Sequence, residues 1–179
     1  MNTENYERKI KSDRVGKDHF FKTRFQSPIP EEERDTFTKL NYFDADLDYR
    51  FELELEEFEN KESVKIEDTG GNLRDFLKWG KFSFEINGQS CILNAYKSNE
   101  TETRLFIPFK DATSGKETYG AGRYVDLEEE QHKLGNQWIL DFNMATNPRC
   151  AYSNNYVCPL IPFENILKVE IKAGEKNYK

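Results

Sequence analysis

Histidine, cysteine and long apolar runs are scarce in this chain, and each scarcity removes a class of function. There are two histidines, His19 and His132, and no CxxC or HxxxH spacing that would assemble a zinc site. Neither a metal nor a cofactor is expected. A catalytic thiol needs an adjacent base, and neither histidine lies in the stretch that carries Cys150 and Cys158. Three cysteines, an odd number, fit a reducing compartment; whether Cys150 and Cys158 pair depends on geometry. No apolar run approaches the ~20 residues of a membrane helix. The opening MNTENYERKIKSDRVGKDHFFK lacks the apolar centre of a secretory signal. The expected setting is the cytoplasm, with no membrane partner. Also missing are a phosphate-cradling glycine loop, a nucleophile elbow and a Ser/His/Asp set. No βαβ spacing points to a nucleotide-binding parallel sheet. Asp44, Asp46 and Asp48 open like a calcium loop, but Tyr49 and Leu55 occupy the positions that need glycine and glutamate, so they read as a solvated acidic loop.

What is abundant is aromatic and charged. Fourteen Phe, nine Tyr and two Trp supply large buried areas despite low mean hydropathy. At 179 residues the chain fits one domain, residues 1–179, with a core that needs no disulfide. The net charge of −7 sets a field that disfavours nucleic acid and anionic membrane as partners.

Residues from about 4 to 25 read as a helix, with Tyr6, Ile10, Val15, Phe20, Phe21 and Phe25 as an apolar stripe. SPIP at 27–30 ends it, because proline cannot continue the hydrogen-bond ladder. EEERD then starts a short helical turn. From about 49 to 172 the period is two. Phe51, Leu53 and Leu55 alternate with Glu52, Glu54 and Glu56, and Val64 and Ile66 alternate with Lys65 and Glu67. Asn87-Gly88 is the preferred pair for a two-residue type I′ hairpin and pairs Ile86 with Gln89, Phe84 with Cys91 and Phe82 with Leu93. Cys91 then falls on the apolar face as a packing thiol. Further strands are expected over 104–109, 117–127, 138–143 and 166–171. The fold class is mainly β, an antiparallel meander closing as a barrel or half-barrel, or else a β-sandwich, behind an N-terminal helix.

Two segments carry an unusual mixture: RLFIPFKDATSGKETYGAGRYVDL from Arg104, and LDFNMATNPRCAYSNNYVCPLIPFEN ending at Asn165. On one face of its strand, Arg123 stands with Tyr119, Ala121 and Val125. Its planar fork suits a carboxylate or phosphate, or a structural ion pair with Asp141 or another acid. Gly120 and Gly122 permit close approach of a backbone or a ligand, or a bulge. Asp141 and Asn143 share the side of a strand opposite Leu140 and Phe142; they are either solvated or a hydrogen-bonded couple that orients a ligand. Asp111 opens a loop as an Asx turn or as an acid.

FKDATSGKETYGAGRYVD, LDFNMATNPRCAYS, the CPL-P-EN pattern and the closing AGEK resemble the bacterial and archaeal family of unknown function numbered 1684. KDHFF, SPIP and LNYFDADLDYR resemble that family's opening. The resemblance implies that the two segments form one unit, and it names no substrate. Thr146 stands where the family carries a tyrosine before Asn-Pro, which weakens a role for an aromatic hydroxyl there.

Three readings stay open. In a module that binds a small polar or anionic molecule, Arg123 would clamp the anion, Tyr119, Tyr124 and Tyr152 would form walls, and Asp141 and Asn143 would orient the ligand. In a hydrolase, Asp111, Asp141 or Glu164 would act as acid or base beside Arg123. In the third reading these motifs only lock the fold.

Overall fold

A computed structural model describes residues 2–179. The N-terminal helix α1 (Thr3–Thr23) is capped by Asn2, whose side chain accepts from the Glu4 amide at 2.8 Å. Tyr6, Ile10 and Phe21 are its buried residues, while Val15 and Phe25 are exposed at 60% and 91%. The expected stripe is therefore narrower. Val15 lies nine residues, about two and a half turns, beyond Tyr6 and so points the other way. Ser27 and the two prolines turn the chain into a short helix α2 (Glu31–Arg34).

The body is two antiparallel sheets. The larger contains β2 (Glu56–Glu67), β3 (Leu73–Ile86), β4 (Gln89–Lys97), β5 (Arg104–Phe109) and β6 (Arg123–Glu128), in chain order. The smaller has the order β1-β8-β7, from β1 (Arg50–Glu54), β8 (Gln137–Asp141) and β7 (Lys133–Leu134), with a short helix α3 (Glu129–His132) leading into it. Neither sheet closes on itself. The two pack against each other through one core, in which Phe82, Phe84 and Leu93 meet Phe51, Leu140 and Phe142. The Phe142 ring is T-shaped against Phe51 and Phe109, at 6.1 and 5.2 Å.

The β3–β4 hairpin has the expected register, with Ile86 opposite Gln89 and Phe82 opposite Leu93. Asn87 and Gly88 both take positive φ, as the type I′ turn requires. Cys91 is buried in the core, as expected.

Three expected strands differ. β8 stops at Asp141, and Phe142–Met144 form a 3-10 turn, so Asn143 does not share a strand with Asp141. β6 begins only at Arg123, because residues 113–122 fold into turns closed by Gly115 N–H to the Thr118 carbonyl and Gly122 N–H to that of Tyr119. Residues 166–171 alternate between exposed and buried as a strand would, yet join no ladder beyond a parallel bridge of Ile166 to Lys110. Main-chain bonds tie this segment to Lys110 and Ala112; further along, side chains take over the role of a neighbouring strand.

Candidate functional site

Those side chains are Arg123 and Asp111. Arg123 lies on the core side of β6 with Val125 and Leu127 and is 0% exposed. Its guanidinium donates to the carbonyls of Ile171 (2.9 Å), Ala173 and Glu175 (3.1 Å), and to Asp111 Oδ1 at 3.3 Å. Asp111 accepts from the Ile171 amide at 2.7 Å and from the amide and hydroxyl of Thr113, at 3.2 and 2.7 Å. The pair thus satisfies the main chain of a buried segment that has no ladder. Burial pulls the Arg123 guanidinium below its usual range, and Asp111 opposes that pull. The structural ion pair read from the sequence, with Asp141 or another acid, forms with Asp111. Gly122 lies where a side chain would meet the Phe109 carbonyl at 2.7 Å and Ile161 at 2.5 Å, so the close approach is made by the protein itself.

Asp141 and Asn143 are both buried in a separate network. Asp141 accepts the Tyr6 hydroxyl at 2.9 and 2.8 Å and the Asn143 amide at 2.9 Å. The Asn143 side chain clasps the Asp46 backbone, accepting from its amide at 2.9 Å and donating to its carbonyl at 2.7 Å. Glu164 stands elsewhere again, accepting from Tyr96 at 2.9 Å and from Lys78 at 2.6 Å. No hydrogen bond among the described residues joins these three networks. The hydrolase reading placed Asp111, Asp141 or Glu164 beside Arg123; of the three only Asp111 contacts it, the two holding the 171–175 segment together. Asp141 instead holds Tyr6 and Asn143, and Glu164 pins a turn to the sheet.

The candidate tyrosines are similarly dispersed. The Tyr119 hydroxyl lies 3.8 Å from Cys150 Sγ, and burial pushes it up to about 12. Tyr124 donates to the Pro159 carbonyl and borders one cleft, and Tyr152 donates to Glu175 and borders another. Asn165, which closes the second segment, is fully buried and donates to the Asn94 and Pro108 carbonyls at 2.9 and 2.7 Å.

A larger opening lies elsewhere, a cleft of about 1070 Å³ between α1 and the 39–45 segment. Arg14 enters it from the helix. Its Nη1 donates to the Phe43 carbonyl at 2.8 Å, its guanidinium lies 4.5 Å from the centre of the Tyr42 ring, and its Nε has no partner. Among the described residues Arg14 forms no ion pair, and desolvation lowers it from the usual arginine range. The Tyr42 hydroxyl is buried and also unpartnered; burial, with Glu175 next, pushes it well up. Lys11, Lys39, Lys116 and Lys176 line the same cleft with no ion pair among the described residues, alongside Glu7, Asp18, Asp44 and Glu117. The only sequence signals were Lys11 and Arg14 three apart on the helix, one face by spacing, and the LNYFD stretch.

Comparison with known proteins fits this chain into a family. Sequences described as "Protein of unknown function (DUF1684)" match residues 35–176. The chain belongs to the DUF1684 family. The DUF1684 match begins after α1. A solution NMR structure of an uncharacterized protein from Haloarcula marismortui spans the helix as well, being similar over 97% of this chain and 95% of its own, at 41% identity and a TM-score of 0.73. No curated protein matches the chain. Among the described residues, no helix is long and apolar enough to cross a membrane, and no cluster of three His, Cys, Asp or Glu residues is placed to hold a metal.

Proposed function

We propose that this DUF1684 protein binds a small molecule carrying a carboxylate or phosphate in the cleft beneath α1. The observation that carries the reading is Arg14, a desolvated guanidinium that lines the cleft with no acid partner and a buried Nε that finds no hydrogen-bond partner, beside the equally buried and unpartnered Tyr42 hydroxyl. A desolvated cation without a counter-charge is costly, and an oxyanion would relieve that cost with charge-assisted bonds from both groups. The four lysines around the rim would draw an anion into a protein of net negative charge. The carboxylates that share the rim suit a polar ligand with donors of its own.

In this reading Asp141, through Tyr6, and Tyr152, against Phe21, hold α1 in place, Arg123, Asp111 and Asn143 fix the chain around it, and the two sheets are the scaffold. The carboxylate hydrolase reading has less support, since Asp111, Asp141 and Glu164 lie in three networks.

The test is thermal unfolding of the full chain in rising concentrations of inorganic phosphate, succinate and citrate. At about 100 times its dissociation constant, a bound ligand adds roughly 2.7 kcal/mol of stability. The expected result is a saturable rise in Tm for at least one probe, abolished by Arg14→Met and weakened by Tyr42→Phe. Equal Tm shifts in the wild type and Arg14→Met would remove the cleft as the site.

A further inference from the structure

Cys150 and Cys158 lie in the segment that sequence analysis singled out, and the anion-binding reading leaves both unused. Both are free thiols. Cys158 is anchored to the β2–β3 turn: its amide donates to the Thr69 hydroxyl at 3.1 Å, and its carbonyl accepts from the Thr69 amide at 2.9 Å. This places its sulfur against the 3-10 turn Arg149–Ala151, where the Cys150 amide donates to Sγ at 3.3 Å. The acceptor sulfur therefore touches the main chain of the residue that carries the second thiol. Cys158 also lines a cleft of about 360 Å³ with Arg74 and Arg149, wide enough for a small oxidant, and Cys150 lines a second cleft.

We propose that Cys158 and Cys150 form a hydroperoxide-reactive dithiol, with Cys158 as the attacking sulfur and Cys150 as the one that resolves it. The electrostatics agree with this assignment. The thiol of Cys150 is the main group holding Cys158 down to about 6; the amides of Cys150 and Arg149 and the charge of Arg74 add to it, against burial. The same contact with Cys158, then burial, pushes Cys150 up. Tyr119 and Tyr124 face the pair as neutral phenols. One sulfur of the pair is thus the thiolate at neutral pH, and thiolate is the nucleophile. Cys91 provides the contrast, buried in the core with its thiol pushed up by desolvation.

The chemistry takes two steps with a hydroperoxide as the oxidant. The Cys158 thiolate attacks the terminal peroxide oxygen; the O–O bond breaks, Cys158 sulfenic acid forms, and hydroxide (or alkoxide, from an alkyl hydroperoxide) leaves with the electron pair. The Cys150 sulfur, giving up its proton, then attacks the Cys158 sulfur; the S–O bond breaks, the disulfide forms, and water is released. The two thiols lose two electrons and the peroxide is reduced to two waters, or to water and an alcohol. The disulfide would fasten the 150–158 loop, which borders both clefts.

The experiment treats the reduced full chain with equimolar hydrogen peroxide, quenches it by alkylation and digests it with trypsin. Both thiols fall in the peptide 150–168, because no lysine or arginine lies between them. The expected product is that peptide lighter by two hydrogens, formed at least about ten-fold faster than any change at Cys91. Cys150→Ser should instead stop at a sulfenic acid on Cys158, trapped by dimedone. Cys158→Ser should leave Cys150 reduced. A wild-type measurement avoids dependence on the folding of either variant: alkylation of Cys158 by iodoacetamide should follow a titration near pH 6, as its thiol is held down to about 6. Oxidation of Cys158 no faster than that of Cys91, or alkylation that rises only above neutral pH, would overturn the assignment.

Discussion

The Tyr6 hydroxyl on α1 donates to both oxygens of Asp141 at the end of β8, at 2.9 and 2.8 Å. Residues 135 positions apart are joined there in a buried spot, and this contact fastens the helix to the body. Tyr6→Phe keeps the ring and deletes the donor. Asp141 retains the Asn143 amide and side chain as donors, so the cost is that of one weakened site, about 1–3 kcal/mol. Urea unfolding should show a lower midpoint with an unchanged slope. A midpoint equal to that of the wild type would mean that the contact does not hold the helix.

Arg123 and Asp111 act on the other end of the chain, where they stand in for the missing neighbour of the 166–175 segment. Arg123→Met leaves Asp111 as an unpaired buried acid and frees the carbonyls of Ile171, Ala173 and Glu175. Breaking such a buried pair costs about 3–5 kcal/mol, a large part of the stability of an ordinary domain. Hydrogen exchange should localise the damage, with the Ile171 amide losing protection before the β3–β4 hairpin does. Uniform loss of protection, or none, would contradict the stand-in role.

How far the sequence could be read follows from how local each determinant is. The β3–β4 hairpin was legible to the register because Asn87-Gly88 and the flanking alternation act within a few residues. That α1 cannot run past residue 27 was legible because Pro28 and Pro30 act on their own backbone, although it already ends at Thr23, two residues short of the expected end. Arg123 was correctly singled out as unusual, but its environment was not legible. Three of its acceptors are main-chain carbonyls about 50 positions away, and a carbonyl has no sequence identity. The 166–171 segment shows the same limit: its alternation of buried Leu167, Val169 and Ile171 records burial, whereas strand assignment depends on a neighbour that sequence period does not reveal. Arg14 escaped notice because an arginine on a charged helix looks like any solvated one. Only the fold shows that its Nε lacks a partner.

Tyr6, Tyr96 and Tyr152 are all buried, with burial the main cause that pushes each well above the ordinary tyrosine range. In the unfolded chain a tyrosine titrates near about 10. Below that pH both states keep the proton and stability is unaffected. Above it the unfolded chain loses protons that the folded chain retains, so stability falls by roughly 1.4 kcal/mol per pH unit for each such tyrosine. Urea midpoints should therefore drop steeply above about pH 10. Tyr6→Phe should make that decline shallower. A decline equally steep in Tyr6→Phe would show that the Tyr6 hydroxyl contributes nothing to it.

Gly174 connects the buried Ala173 to the equally buried Glu175, and its geometry admits no side chain. Its φ is +77°, in the left-handed region. A Cβ there would lie 2.6 Å from the Phe142 carbonyl and 2.7 Å from that of Ala145. Neither oxygen has room to yield, since Phe142 is fully buried and the Ala145 carbonyl accepts the Glu175 amide at 3.0 Å. Glu175 in turn accepts from Lys17 on α1, from Tyr152 and from the Asn147 amide, so a shift at 174 would pull on the helix as well. Gly174→Ala is expected to cost more than the ordinary ~1 kcal/mol centre of single substitutions and to loosen α1. The loosening would be read as faster exchange at the Tyr6 and Ile10 amides. If the variant were as stable as the wild type, residues 171–175 would have to sit differently, and the carbonyls given to Arg123 would need other partners.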